Sequence, residues 1–184
     1  EVLRVLAGML CEDLRVPTDL AARIGGEEFA LLLPDTDLRG AQRVCERLQE
    51  RLRRRLAALG YAKPDRAMNH IRALSNAPGR RGQIQLLILP QLLETISRTP
   101  DPDAGLLNYR RLCDVMEDAD WFLRLLRDDG VVAQRLMKVL GTSEYIANML
   151  MRSPEVSAFA TPEHQDAVRA VLDRLADRAN QLNP

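Results

Sequence analysis

The sequence predicts a mainly α fold: an N-terminal helix–β-hairpin–helix followed by an all-helical bundle. Three observations predict it. Ala, Leu and Arg dominate while aromatics are only 4% of the 184 residues, a mixture that favours helices. Apolar residues recur at three- and four-residue spacing along most of the chain. Only two short extended runs, on either side of a glycine pair, read as strands.

In order, residues 1 to 14 carry Val2, Leu3, Val5, Leu6, Met9, Leu10 and Leu14 at helical spacing before Pro17 stops the run. Leu20 to Ile24 and Glu28 to Leu33 then flank Gly25-Gly26-Glu27, which predicts a β-hairpin. Asp35, Thr36 and Asp37 offer caps for a helix whose stripe is Ala41, Val44, Cys45, Leu48, Leu52 and Leu56. From Tyr61 onward no strand signal appears. Helices are expected at about 64 to 74, 80 to 98, 102 to 117, 119 to 140 with a break at Gly130, 143 to 152, and 162 to 182. Pro64, Pro102 and Pro162 stand where first turns begin, the last two behind Asp101 and Thr161 as caps. Pro90 predicts a kink or break near Leu89. The composition changes near residue 57, which divides the chain into 1 to 56 and 57 to 184, although no flexible linker marks the junction.

Composition also bounds the function. With 46% apolar and 28% charged residues the chain can build a core. Lys+Arg and Asp+Glu both number 26, so no net field draws it to nucleic acid or to an anionic membrane, and neither partner is expected. No apolar run approaches the roughly 20 residues that span a bilayer. Glu1 is followed by no export leader, so a cytoplasmic location is expected. Cys11, Cys45 and Cys113 lie far apart in helical patterns and are expected to be reduced core thiols, without zinc.

Trp121 and Phe122 read as core anchors, and Met137, Met149 and Met151 as core or gap fillers. His70 and His164 are isolated and carry no expectation of catalysis. Arg51 to Arg55 reads as a solvated helix face that Glu46 and Glu50 partly pair.

The chemistry concentrates on the hairpin. Two carboxylates, Glu27 and Glu28, stand on a turn beside Gly25 and Gly26. Carboxylate oxygens suit Mg²⁺, and absent side chains leave room for a base or phosphate. The stretch from Asp19 to Asp37, with Gly25-Gly26-Glu27-Glu28-Phe29 at its centre, resembles the signature of GGDEF domains, the diguanylate cyclases, over residues 1 to 56. The resemblance implies that Glu27 is a metal ligand and catalytic carboxylate, that Glu28 supports the metal, and that Gly25 and Gly26 make room for GTP. The family's earlier metal-binding aspartate and its last strands have no counterpart among these residues, so the site is expected to be vestigial and Mg²⁺ not to be held by this chain. Arg15 and Asp19 have three residues between them where the family's inhibitory pair has two, so product inhibition is not expected.

A second resemblance begins at Leu59-Gly60-Tyr61. Asp101-Pro102-Asp103-Ala104-Gly105-Leu106-Leu107, Tyr109-Arg110-Arg111, the run from Trp121 to Asp128, Leu140-Gly141-Thr142-Ser143 and Arg152-Ser153-Pro154-Glu155 follow in order. Together they resemble actinobacterial glutamine synthetase adenylyltransferase, the adenylylating and adenylyl-removing enzyme, over residues 57 to 184. The likeness is to its helical region, ahead of the second nucleotidyltransferase domain, and the Gly-Ser-x-x-Asp-x-Asp motif of its catalytic core is absent here. One departure is Lys63, where that family has Asp before the proline; the helix there is expected to lack its N-cap, at about 1 kcal/mol. The expectation is a chimera: the helical, non-catalytic part of a nucleotidyltransferase of nitrogen control, with glutamine synthetase and ATP as the implied partners. The alternatives are a degenerate GGDEF protein binding GTP or cyclic di-GMP, and a non-catalytic interaction module.

Overall fold

The computed structural model describes residues 14, 15, 18–24, 29–116, 120–152, 170, 171, 173–175 and 177. The helix expected over residues 1 to 14, Cys11, His164 and most of the helix expected over 162 to 182 fall outside these. The chain divides into two compact units, residues 1–58 and 59–184.

In the first unit β1 (Leu20–Arg23) pairs antiparallel with β2 (Phe29–Leu32), with Leu20 opposite Leu32, Ala21 opposite Leu31, Ala22 opposite Ala30 and Arg23 opposite Phe29. Successive side chains alternate between faces, so Leu20, Ala22, Ala30 and Leu32 share one. Leu20 and Leu32 are exposed there, while Leu31 and Ala21 on the other face are half-buried. Asp35 takes a left-handed φ of 53°, a conformation Asp tolerates better than most residues. Asp37 then starts α1 (Leu38–Ala58): its Oδ1 accepts from the Gly40 N–H at 2.7 Å, so of the three candidate caps this is the one used. Val44 and Leu56 on the expected stripe are buried. Cys45 is exposed, a correction: it lies at the margin of the stripe, where a small side chain stays wet. Glu50 pairs with Arg53 and Arg54 on the polar face.

Among its described residues the second unit has helices joined by short turns and no strand. Its elements are α2 (Pro64–Ser75), α3 (Arg80–Ser97), α4 (Pro102–Val115), α5 (Asp120–Asp128), α6 (Gly130–Thr142) and α7 (Glu144–Arg152). Helices α3, α4 and α6 form the centre; α4 packs on α2, α3, α6 and α7, and α3 also meets α2, α5 and α6. Ile96, Leu106, Tyr109, Leu123, Met137, Val139 and Leu140 are fully enclosed.

Pro90 does not break α3, which runs unbroken from Arg80 to Ser97. The missing Pro N–H costs one backbone bond, and Ile88, Leu89 and Leu92 around it are buried, so tertiary packing holds the helix together. The break expected at Gly130 is real and has a cap: Asp129 Oδ1 accepts from the N–H groups of Val131 and Val132, each at 3.1 Å. Met137 is core as expected, whereas Met149 is exposed, a second correction. Phe122 is buried, and Trp121 meets it edge-on with ring centroids 6.3 Å apart. No described helix is long and apolar enough to cross a membrane.

Candidate functional site

Gly25, Gly26, Glu27 and Glu28, the candidate catalytic, nucleotide-binding and metal residues, lie outside the described residues. What the structure describes is the frame on either side of them. Arg23 and Phe29, which pair with one another, are the last paired residues of the two strands. The other end of the hairpin is tied by Arg15. Its Nη2 reaches Asp19 Oδ1 at 2.9 Å, the Pro34 carbonyl at 3.2 Å and Thr36 Oγ1 at 2.6 Å, while its Nε and backbone N–H both donate to Asp19 Oδ2.

One guanidinium thus joins the segment entering β1 to the segment leaving β2. The planar fork of Arg is suited to a bidentate carboxylate bond of this kind. Hydrogen bonds from Arg15 hold the Asp19 carboxyl below its ordinary range. Arg15 is therefore engaged within the hairpin base. Its bonds to Pro34 and Thr36 were not legible in the sequence, because they span 19 and 21 residues.

In the second unit the polar groups serve the helix ends. The Asp103 carboxylate, in the first turn of α4, accepts from the N–H groups of Ala62 at 2.7 Å and Lys63 at 3.1 Å, ahead of α2. Lys63 itself makes no side-chain cap bond, as expected. Asn108 donates to the Leu140 carbonyl at 3.0 Å and the Asp101 N–H to the Gly141 carbonyl at 3.2 Å, so the start of α4 takes up carbonyls at the end of α6. The Arg81 fork donates to the carbonyls of Cys113 and Met116 at the end of α4. Tyr109 donates to Gln85 Oε1 at 2.8 Å, and Gln85 Nε2 lies 3.2 Å from Cys113 Sγ. Burial pushes the Cys113 thiol up to about 11 and Tyr109 well above its ordinary value, so neither is a nucleophile or a proton carrier near neutrality. Among the described residues no three His, Cys, Asp or Glu side chains group to hold a metal ion.

Comparison with known proteins gives two likenesses. The GGDEF family model, described as the diguanylate cyclase GGDEF domain, matches residues 1–71. The chain is also 49% identical over 150 residues, 81% of its length, to the bifunctional glutamine synthetase adenylyltransferase/adenylyl-removing enzyme of Mycolicibacterium smegmatis. It is 53% identical over 112 residues, 60% of its length, to the protein of the same name from Nocardia farcinica, and 54% identical over 101 residues, 55% of its length, to that of Corynebacterium diphtheriae. The chain spans 15%, 11% and 10% of the length of these three relatives. No solved structure matches it. The first match is too long to lie wholly beyond residue 71, so the two likenesses overlap along the chain.

Proposed function

We propose that this chain is a piece of a bifunctional glutamine synthetase adenylyltransferase/adenylyl-removing enzyme, from its helical, non-catalytic part, and that it acts in nitrogen metabolism in the cytoplasm. The observation that carries the reading is the 49% identity over 150 residues to the Mycolicibacterium smegmatis protein. At that identity the matched residues are expected to share the apolar pattern of the helical unit. Such a unit frames a nucleotidyl-transfer site and presents it to glutamine synthetase, with ATP bound elsewhere in the enzyme. The side chains of Arg81, Asn108, Gln85 and Tyr109 are committed to helix ends and to each other.

The test is a segment exchange. The region of the Mycolicibacterium smegmatis enzyme matching residues 59–184 is replaced by this chain's residues, and adenylylation of glutamine synthetase is measured with ATP. Retained activity is expected. A folded chimera that binds ATP and has lost adenylylation overturns the reading.

The GGDEF match favours a second reading for residues 1–71, nucleotide binding at the hairpin. There Gly25 and Gly26 would admit GTP or cyclic di-GMP, and Glu27 and Glu28 would hold Mg²⁺ and neutralise phosphate charge. Calorimetric titration of GTP and of cyclic di-GMP into the full chain, with and without Mg²⁺, tests it. Under the first reading neither nucleotide binds. Saturable binding that Glu27→Ala abolishes favours the second.

A further inference from the structure

His70 stands half-buried on α2, with its Nδ1 3.2 Å from Nη1 of Arg110 on α4. A guanidinium only donates, so Nδ1 is the acceptor, the ring proton sits on Nε2, and the imidazole in this contact is neutral. The charged groups acting on the ring are Arg110, Arg111 and Asp103 from α4 and Arg66 from α2 itself, three cations against one anion. The anion is already engaged with the N–H groups of Ala62 and Lys63. Arg110 also lies 3.9 Å from Asp114. Helix α3, which packs on α2 as well, carries Arg80, Arg81 and Glu94; Arg81 is turned to the carbonyls of Cys113 and Met116, and Glu94 pairs with Arg98.

A proton added to His70 therefore turns the acceptor into a donor facing a donor and sets a fourth cation among three. We propose that His70 is a proton-operated latch on the seam between α2 and α4: neutral, it ties α2 to Arg110; protonated, it releases that tie and leaves the seam to Asp103 and the apolar contacts. Burial first, then the Arg110 guanidinium, holds the ring's proton affinity below the ordinary value of 6.5. The sign follows from linkage. Because the folded state resists the proton, the latch stabilises fully above 6.5 and is lost as pH falls below it toward the folded value.

The experiment uses the full chain. Amide exchange of α2, corrected for intrinsic rates, is compared at pH 7.5 and at pH 5, with α6 as internal reference. Protection of α2 is expected to fall at least tenfold relative to α6 on acidification, and the fall to vanish in His70→Gln, which accepts from Arg110 without titrating. The chain has two histidines, so His70→Gln also assigns the ring signals by NMR, and a midpoint below 6.5 that rises in Arg110→Met is expected. An equal loss of protection in His70→Gln, or a wild-type midpoint at or above 6.5, overturns the proposal. If His70→Gln does not fold, the midpoint in Arg110→Met decides: an unchanged value means that Arg110 does not hold the ring neutral.

Discussion

Gly105 of α4 and Gly141 of α6 meet backbone to backbone. A Cβ built on Gly105 would stand 3.1 Å from the Gly141 Cα and 2.9 Å from Ile96 Cγ2, and one built on Gly141 would overlap Thr99. The absence of side chains at both positions lets Asn108 and the Asp101 N–H reach the last carbonyls of α6. Helices α4 and α6 are the most extensively packed pair of the second unit, and this contact sets their separation.

Gly105→Ala is expected to lower stability by about 1–3 kcal/mol, as overpacking of a closed contact does. Gly130→Ala is the control. A Cβ there meets nothing within 4 Å, so the substitution is expected to stabilise by up to about 1 kcal/mol through the unfolded chain. Urea midpoints of the two variants check this; equal shifts would show that the contact is loose.

Asp103 supplies across 40 residues the cap that Lys63 lacks. Asp103→Ala is expected to cost about 1 kcal/mol, the value of a helix cap, and to loosen α2 first. Urea unfolding gives the magnitude, and amide exchange resolved by helix shows where protection is lost.

The Arg15–Asp19 pair makes the hairpin base acid-sensitive. The folded Asp19 carboxyl lies below its ordinary 3.8, so its contribution is present above that value and is lost as pH falls through it. Protection of the β1 and β2 amides, corrected for intrinsic rates, is expected to fall below pH 4 in the wild type, and Asp19→Asn to be weakly protected at every pH. Two strands alone are marginal in water, so exchange from Leu20 to Leu32 is also expected to exceed that from Trp121 to Leu126. Comparable protection in the two segments would mean that the hairpin is stabilised by contacts beyond its base.

The cysteines are expected to separate by reactivity. Cys113 is buried with its thiol pushed up to about 11, and Cys45 is exposed on α1. Iodoacetamide at pH 7.5 should label Cys45 within minutes and Cys113 only on global unfolding, as read by peptide mass spectrometry. Rapid native labelling of Cys113 would show that the contact between α3 and α4 opens locally.

The sequence alone determined the fold class, the place of the hairpin and the succession of helices, because these rest on local signals. The stripe through Val44 and Leu56, the Asp101-Pro102 start and the glycine pair between two extended runs each act within a few residues. The break at Gly130 was legible from the glycine, whereas its Asp129 cap came from the structure, and the two family resemblances were legible as ordered words. The hairpin carboxylates were found as a pattern, and their geometry lies outside the described residues.

What only the tertiary structure decided are pairings across long stretches of chain. Asp103 serves α2 from α4, Arg15 closes the hairpin on Thr36, Arg81 caps α4 from α3, and His70 meets Arg110. No local pattern announces them, because the energy of each depends on which surfaces the apolar stripes bring together. Pro90 shows the same from the other side. Its local signal is a break, and burial of Ile88, Leu89 and Leu92 overrides it, because removing those side chains from water outweighs one missing backbone hydrogen bond.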